Sequence, residues 1–130
     1  MKILVGYDGR APSKEALKLA GKHAAAFGGT VDVVTSMEEG TAKQKQDMEK
    51  ALHDLEAVKY LFAEKNVACK THLLIRGMSP GEDLIRFAQD NRIDEIIIGV
   101  RRRSKLGKLL MGSTAQYVIL ESRCPVVSVK

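Results

Sequence analysis

The sequence has little cysteine, and what it has shows no pattern of a cross-linked or metal-binding protein. Its 130 residues include two cysteines, Cys69 and Cys124, far apart and without Cys-x-x-Cys or Cys/His spacing. We interpret each as a small core residue on or near a strand, and not as a ligand or a nucleophile. A chain of this length suits one domain, residues 1–130, that buries a core without disulfides.

Long apolar runs are also missing. Hydrophobic residues make up 45% of the chain and charged residues 28%, with no run long enough to span a bilayer. The apolar run that follows Lys2 breaks at Gly6, whereas a signal peptide would need a longer apolar region and a small-residue cleavage site. The sequence therefore predicts a cytoplasmic protein without a membrane partner.

Catalytic and metal-binding patterns are lacking as well. The histidines His23, His53 and His72 fall on separate predicted elements, without acidic or cysteine partners at metal-ligand spacing. No Ser/His/Asp order, pair of loop carboxylates or Cys/His arrangement identifies a nucleophile or a general base. We expect a binding protein without efficient catalysis, and no enzyme.

What the sequence does contain is a regular alternation of strand and helix patterns. Continuous apolar runs are typical of strands covered on both faces, and apolar residues three and four apart are typical of helices on a sheet. Ser13 is expected to cap the first helix and Gly28 to end it, and Ser79 and Glu82 form a capping box. The predicted strands are residues 2–7, 30–36, 67–75, 94–99 and 126–129, and the predicted helices are residues 13–27, 42–65, 80–91 and 112–121.

This order predicts an α/β fold: a five-stranded parallel sheet with helices on both faces, in a Rossmann-like arrangement. Such sheets bind ligands beyond the carboxyl ends of the strands, where the winding direction reverses. The first and fourth strands are the most apolar and therefore the expected central pair, which would place Asp8 opposite the residues after Gly99 across one crevice. The long helix is expected to bury Met48, Leu52, Leu55, Val58 and Phe62, and the last helix Ala115, Val118 and Ile119.

A basic loop follows the fourth strand. The chain has a formal net charge of +5, and five of the eight residues at 101–108 are basic. A strand end, a positive loop and a helix start at Gly112 and Ser113 together favour an anion, because backbone N–H groups and the helix dipole point at it. No aromatic residue interleaves the basic run, so base stacking is unsupported and a nucleic-acid partner is disfavoured.

These residues together resemble the universal stress protein family, over nearly the whole chain. The resemblance rests on the opening Ile-Leu-Val-x-x-Asp-Gly, and on residues in matching places further on: Ser13, Ala16, Gly77, Asp94–Gly99, Gly112-Ser113 and Cys124-Pro125-Val126-Val127. It implies an adenine nucleotide alpha hydrolase-like fold. It also implies that the chain binds an adenine nucleotide, ATP first and otherwise ADP or AMP, with Mg²⁺ as a possible companion, in stress response or regulation.

The resemblance also implies which residues bind the nucleotide. Family members that bind nucleotides carry Gly-x2-Gly-x9-Gly-[Ser/Thr], which maps here onto Gly99, Arg102, Gly112 and Ser113 with its spacing kept. The acidic residue after the first strand lies near the nucleotide, and the end of the second strand offers backbone to the adenine. The implied site residues are Gly6, Asp8, Ser36, Ile98, Gly99, Arg101, Arg102, Gly112, Ser113 and Thr114.

Several of these residues have two interpretations. Arg102 stands where the family pattern has a loop glycine. Its side chain could block close approach of a phosphate to the backbone, and the chain would then be a signalling or interaction module that binds no nucleotide. Alternatively, its guanidinium could bind the phosphate. Gly112 and Ser113 could hold phosphate or form a turn with an N-capping serine. Asp8 could bind a ribose hydroxyl or a cation, or be a polar turn residue.

The composition of the last predicted strand indicates a protein partner in addition to the nucleotide. Val126, Val127 and Val129 form an apolar edge strand that only Lys130 protects. Because an unpaired edge of this kind tends to pair with another strand, we expect a homodimer through this strand, as family members commonly form.

Overall fold

A parallel sheet forms the centre of the computed structural model, which describes residues 1–38, 44–100 and 111–130. Within these residues there are five strands and four helices in strict alternation. The strands are β1 (Lys2–Gly6), β2 (Thr30–Ser36), β3 (Cys69–Leu74), β4 (Glu95–Gly99) and β5 (Val126–Val129), and the helices are α1 (Ala11–Phe27), α2 (Gln44–Glu64), α3 (Pro80–Asp90) and α4 (Ser113–Glu121). The predicted fold class is confirmed, and the observed bounds of β2 and β5 equal the predicted ones.

The strand order is β3-β2-β1-β4-β5, so β1 and β4 are neighbours near the middle of the sheet. Their register pairs Leu4 with Ile96 and Val5 with Ile97, and all four side chains are fully buried. The winding direction reverses between β1 and β4, because β2 and β3 lie on one side of β1 while β4 and β5 lie on the other. The predicted central pair is therefore confirmed, and the crevice lies at its carboxyl ends.

Two apolar layers cover the two faces of the sheet. One packs Val5 and Ile97 against α1 and α2, with Phe62 as its largest fully buried side chain. The other packs Leu4 and Ile96 against α3 and α4. Side chains alternate between these layers along each strand, as expected for strands with both faces buried.

Local signals set the helix ends, with one exception. Gly28 ends α1 in a left-handed conformation, at φ 65°, and Ser79 caps α3 by accepting a hydrogen bond from the backbone of Glu82, as predicted. The prediction for Ser13 is wrong. Arg10 is the N-cap of α1, and Ser13 lies inside the first turn, where its hydroxyl bonds back to Arg10 O and Asp8.

Two predicted core residues are exposed instead. Leu52 on α2 is 54% exposed and Ile119 on α4 is 39% exposed. At 3.6 residues per turn, Leu52 lies about 60° from Leu55 around the helix, on the side away from Val58, and the sheet covers the Val58 side. Ile119 is left open because α4 packs chiefly against α3 and only slightly against β5.

Candidate functional site

A cleft of about 870 Å³ opens at the carboxyl ends of the central strands. This volume is within the range of small-molecule sites in proteins. Gly6 and Ile98, at the ends of β1 and β4, form its floor, and Asp8 lies beside them. The cleft thus lies where the reversal in strand order predicts a ligand site.

The β2 end of the cleft is apolar. Val34 from β2 and the side chains of Pro80 and Leu84 from α3 line it, with Ser36 at the strand end as a polar group. The first turn of α3 is not a free anion site, because Ser79 caps it and Glu82 and Asp83 already place negative charge there. This end is suited to a flat, largely apolar group.

The β4 end of the cleft is different, since the first turns of two other helices line it. Residues 10–13 come from the start of α1, and Thr114 and Ala115 from the start of α4. Among the described residues, neither helix has a side-chain cap or an acidic residue in its first turn. Their first N–H groups and positive dipole ends are therefore directed at this part of the cleft.

Asp8 stands between these two ends. Its Oδ1 accepts hydrogen bonds from the backbone N of Arg10 at 2.9 Å and from the hydroxyl of Ser13 at 2.8 Å. These bonds hold the carboxylate at the start of α1 and offset part of that helix's positive end, which leaves the start of α4 as the more positive of the two. Among the described residues no hydrogen bond reaches Oδ2 of Asp8, so one carboxylate oxygen remains available to a ligand.

Gly99 brings α1 to this position. A Cβ on Gly99 would collide with the carbonyl carbon of Pro12, and would lie 2.6 Å from the backbone N of Ser13. The end of β4 and the first turn of α1 are therefore in direct backbone contact, which only glycine allows. Gly99 lines the cleft and also fixes one of its walls.

The hydroxyl of Ser36 is held by an ion pair between Asp83, which is buried, and Arg76, which is partly exposed. The Ser36 hydroxyl donates to Oδ2 of Asp83 at 2.7 Å, and Arg76 Nε donates to Oδ1 of the same carboxylate at 2.6 Å. Asp83 is fully buried, whereas Arg76 is 36% exposed. The network joins the end of β2 to the first turn of α3 across the apolar end of the cleft.

Tyr7 borders the cleft beside Asp8 and is 8% exposed. Burial raises the pKa of its phenol above the ordinary value of 10.0, and the nearby carboxylate of Asp54 adds to this effect, while Lys50 opposes it. The phenol is consequently neutral at physiological pH, and its ring packs in the apolar layer beneath the cleft.

The structure places most of the predicted site residues at the cleft. Gly6, Asp8, Ser36, Ile98, Gly99 and Thr114 line it. Gly112 is the N-cap of α4 and Ser113 its first residue, directly before Thr114 but outside the lining, so Ser113 is not the N-cap. Arg101 and Arg102 lie outside the described residues. The ligand roles of all ten residues stay predictions.

Other parts of the site were not predicted from the sequence. The Ser79–Glu82 capping box predicted where α3 begins. It gave no indication that Pro80 and Leu84 form a wall of the cleft. The position of Asp83 in the sequence could have indicated a buried polar contact, because a carboxylate on the apolar face of an amphipathic helix needs a buried partner. Its partner Arg76 lies in the turn after β3, and only the folded chain reveals that the two side chains meet.

Other chemistry finds little support in the part of the chain that the structure describes. No three His, Cys, Asp or Glu side chains are grouped there to hold a metal ion. Burial raises the pKa of the Cys69 thiol to about 11, so this cysteine stays protonated and unreactive at neutral pH. None of the helices in these residues is long and apolar enough to cross a membrane.

Comparison with known proteins agrees with the fold and with the resemblance. The model of the universal stress protein family matches residues 1–130. A universal stress protein of Thermus aquaticus is 31% identical, over 98% of this chain and 97% of that protein. A solved universal stress protein of Archaeoglobus fulgidus is 33% identical with a TM-score of 0.91, covering 100% of this chain and 98% of the other.

A universal stress protein of Archaeoglobus fulgidus has also been solved in complex with dAMP. It is 29% identical to this chain, with a TM-score of 0.84 and coverage of 100% and 98%. The family model spans the chain from end to end, and the relatives align over nearly their full lengths. The chain belongs to the universal stress protein family.

Proposed function

We propose that this chain binds an adenine nucleotide, with ATP first and ADP and AMP as alternatives, in a cytoplasmic stress-response or regulatory role without efficient catalysis. The observation that carries the proposal is the polarity of the cleft. Its β2 end is apolar and its β4 end is lined by first turns of helices that lack acidic residues. The dAMP complex of the relative from Archaeoglobus fulgidus supports the same class of ligand.

The dimensions of the sheet fit this ligand. β2 and β4 flank β1, so their ends are about 10 Å apart at the usual strand spacing. A base between Val34, Pro80 and Leu84 would leave its phosphate near the start of α4, where Thr114 and Ala115 line the cleft. Helix N-termini favour phosphate through their free N–H groups and dipole.

Asp8 lies where the ribose, the middle part of the nucleotide, would be bound. It lies between the two ends, and its Oδ2 has no hydrogen bond among the described residues, so it can accept one from a ribose hydroxyl. The same oxygen could reach a Mg²⁺ ion carried by the phosphates, because Mg²⁺ commonly takes one carboxylate plus phosphate oxygens. Among the described residues, no second carboxylate lines the cleft beside Asp8.

Isothermal titration with ATP, ADP and AMP tests the proposal, and we expect measurable binding by at least one of them. Asp8→Asn keeps an acceptor oxygen for Arg10 and Ser13 but removes the charge facing the ribose, so we expect affinity to fall about tenfold. Asp90→Asn is the matched control: it removes an exposed carboxylate at the end of α3, away from the cleft, and should leave affinity unchanged. No heat and no thermal shift at millimolar nucleotide would refute the proposal.

We also propose that the chain forms a homodimer through β5. This strand is at the edge of the sheet, and Val126, Val127 and Val129 are only partly buried there. The carbonyls of Pro125 and Val129 bond to β4, so by alternation the N–H groups of residues 126 and 128 point outward.

Ser128→Pro tests this dimer, because it removes an outward N–H that edge pairing needs while leaving the bonds to β4 intact. Sedimentation at micromolar concentration should show a dimer for the unmodified protein and a monomer for the variant. A monomeric unmodified protein would count against the dimer, and a variant that remains dimeric would show that another surface is used.

A further inference from the structure

The hydrogen bonds among Ser36, Asp83 and Arg76, at the β2 end of the cleft, fix the direction of the Ser36 hydroxyl proton. Both oxygens of Asp83 accept hydrogen bonds: Oδ1 from Arg76 Nε at 2.6 Å, and Oδ2 from Ser36 Oγ at 2.7 Å. An arginine side chain is always a donor, and a carboxylate paired with it only accepts. The single hydroxyl proton of Ser36 is therefore directed at Asp83.

This arrangement decides what Ser36 can offer to a ligand. A serine hydroxyl has one donor hydrogen and two acceptor lone pairs, and here the hydrogen is already used. Ser36 lines the cleft next to the apolar wall formed by Pro80 and Leu84, while Asp83 is fully buried and lines no part of the cleft. A hydrogen bond between this hydroxyl and a ligand in the cleft would therefore use a lone pair of the oxygen, with the hydroxyl as acceptor.

We propose that Asp83, held by Arg76, is a positioning residue that keeps the Ser36 hydroxyl an acceptor toward the base, and so selects a base whose edge carries an amino group. A 6-amino purine would donate to Ser36. A 6-oxo purine would place an acceptor against an acceptor, which leaves both groups without a hydrogen. This inference rests on the proposed nucleotide function and adds the origin of its base selectivity.

Ser122 provides a matched control. Its hydroxyl also donates to a fixed acceptor, the carbonyl of Cys124, at 2.7 Å. Ser122 borders a separate cavity with Arg92 and Arg123 and does not line the cleft. Removing the Ser122 hydroxyl is therefore the same chemical change as removing that of Ser36, without an effect on base selection.

The experiment measures the affinities of AMP and IMP, which differ at the 6-position of the purine, for the full chain and three variants. The unmodified protein and Ser122→Ala should prefer AMP about tenfold. In Ser36→Ala the preference should fall below about threefold, because neither nucleotide finds a polar partner there. If Ser36 had a merely structural role, Ser36→Ala would lower the affinities for AMP and IMP by the same factor.

Asp83→Asn gives the sharpest result. Arg76 Nε continues to donate to the amide oxygen, which turns the amide NH₂ toward Ser36 and makes Ser36 the acceptor of that bond. The hydroxyl proton is then free to point into the cleft, and the preference should shift toward IMP. If this variant does not fold, by circular dichroism and thermal melting, Ser36→Ala alone decides.

The possible failures are distinguishable. If the unmodified protein binds neither AMP nor IMP, the proposed function fails. If it binds both equally well, or if Ser36→Ala keeps the full preference for AMP, nucleotide binding stands and the role of Ser36 and Asp83 is refuted. A folded Asp83→Asn variant with an unchanged preference for AMP would likewise overturn the inference.

Discussion

Replacing Arg76 by alanine is expected to lower the free energy of unfolding by about 2 kcal/mol, the largest single loss that we predict for a side chain of the cleft region. The loss stays below that of a fully buried pair because Arg76 is 36% exposed, so water reaches the site and screens the charge. The variant leaves Asp83, which is fully buried, with its charge unpaired. A buried carboxylate without its partner keeps the cost of leaving water and loses the attraction that offset it. Urea denaturation at constant pH measures the loss.

Arg86→Ala is the control for this variant. Arg86 lies on the exposed side of α3, and its pair with Asp90 is 3.9 Å long with both side chains more than half exposed. Such a pair contributes little, so we expect a change within about 0.5 kcal/mol. The double variant Arg76→Ala, Asp83→Ala should regain part of the stability, because it removes the buried charge as well. A loss below about 1 kcal/mol for Arg76→Ala would show that the pair is dispensable.

Gly99→Ala is expected to destabilise the protein by about 2–3 kcal/mol and to weaken nucleotide binding together with stability. The added Cβ would meet backbone atoms of Pro12 and Ser13, and backbone in a helix cannot move aside as a flexible side chain can. The first turn of α1 must therefore shift away from β4. Thermal melting and nucleotide titration on the same sample measure both effects.

Gly21→Ala is the matched control on α1. A Cβ at Gly21 would lie 3.5 Å from a ring carbon of Phe62, which is ordinary contact, and alanine favours the helix more than glycine does. We therefore expect Gly21→Ala to stabilise the protein by about 0.5–1 kcal/mol. If Gly99→Ala were as harmless as Gly21→Ala, the close contact between β4 and α1 would not be what holds the wall of the cleft.

The architecture could be predicted because it depends on local patterns. Buried parallel strands are continuous apolar runs in the sequence. Gly28 ends α1 through its left-handed backbone, and Ser79 begins α3 through its capping side chain. The errors arose where tertiary packing decides. Leu52 fits the helical period of α2 as well as Leu55 does, but only Leu55 lies against the sheet.

The site could be predicted only in part, for the same reason. Asp8 and Gly99 end the two central strands, so the strand order alone brings them to one cleft. The contact between Arg76 and Asp83 depends instead on how the turn after β3 approaches α3. The spacing of Arg76 and Asp83 in the sequence does not predict that the two side chains meet.

The most direct test of nucleotide binding in the cleft is an NMR titration of the full chain with AMP, following the backbone amides. We predict shifts at the two ends of the cleft and between them, at Ser36, Asp8 and Thr114 with their neighbours. Nucleotide binding would be refuted if no amide shifted at millimolar AMP. The cleft would be refuted as the binding site if the shifts fell at the opposite end of the sheet, around Arg92 and Arg123, and spared the cleft.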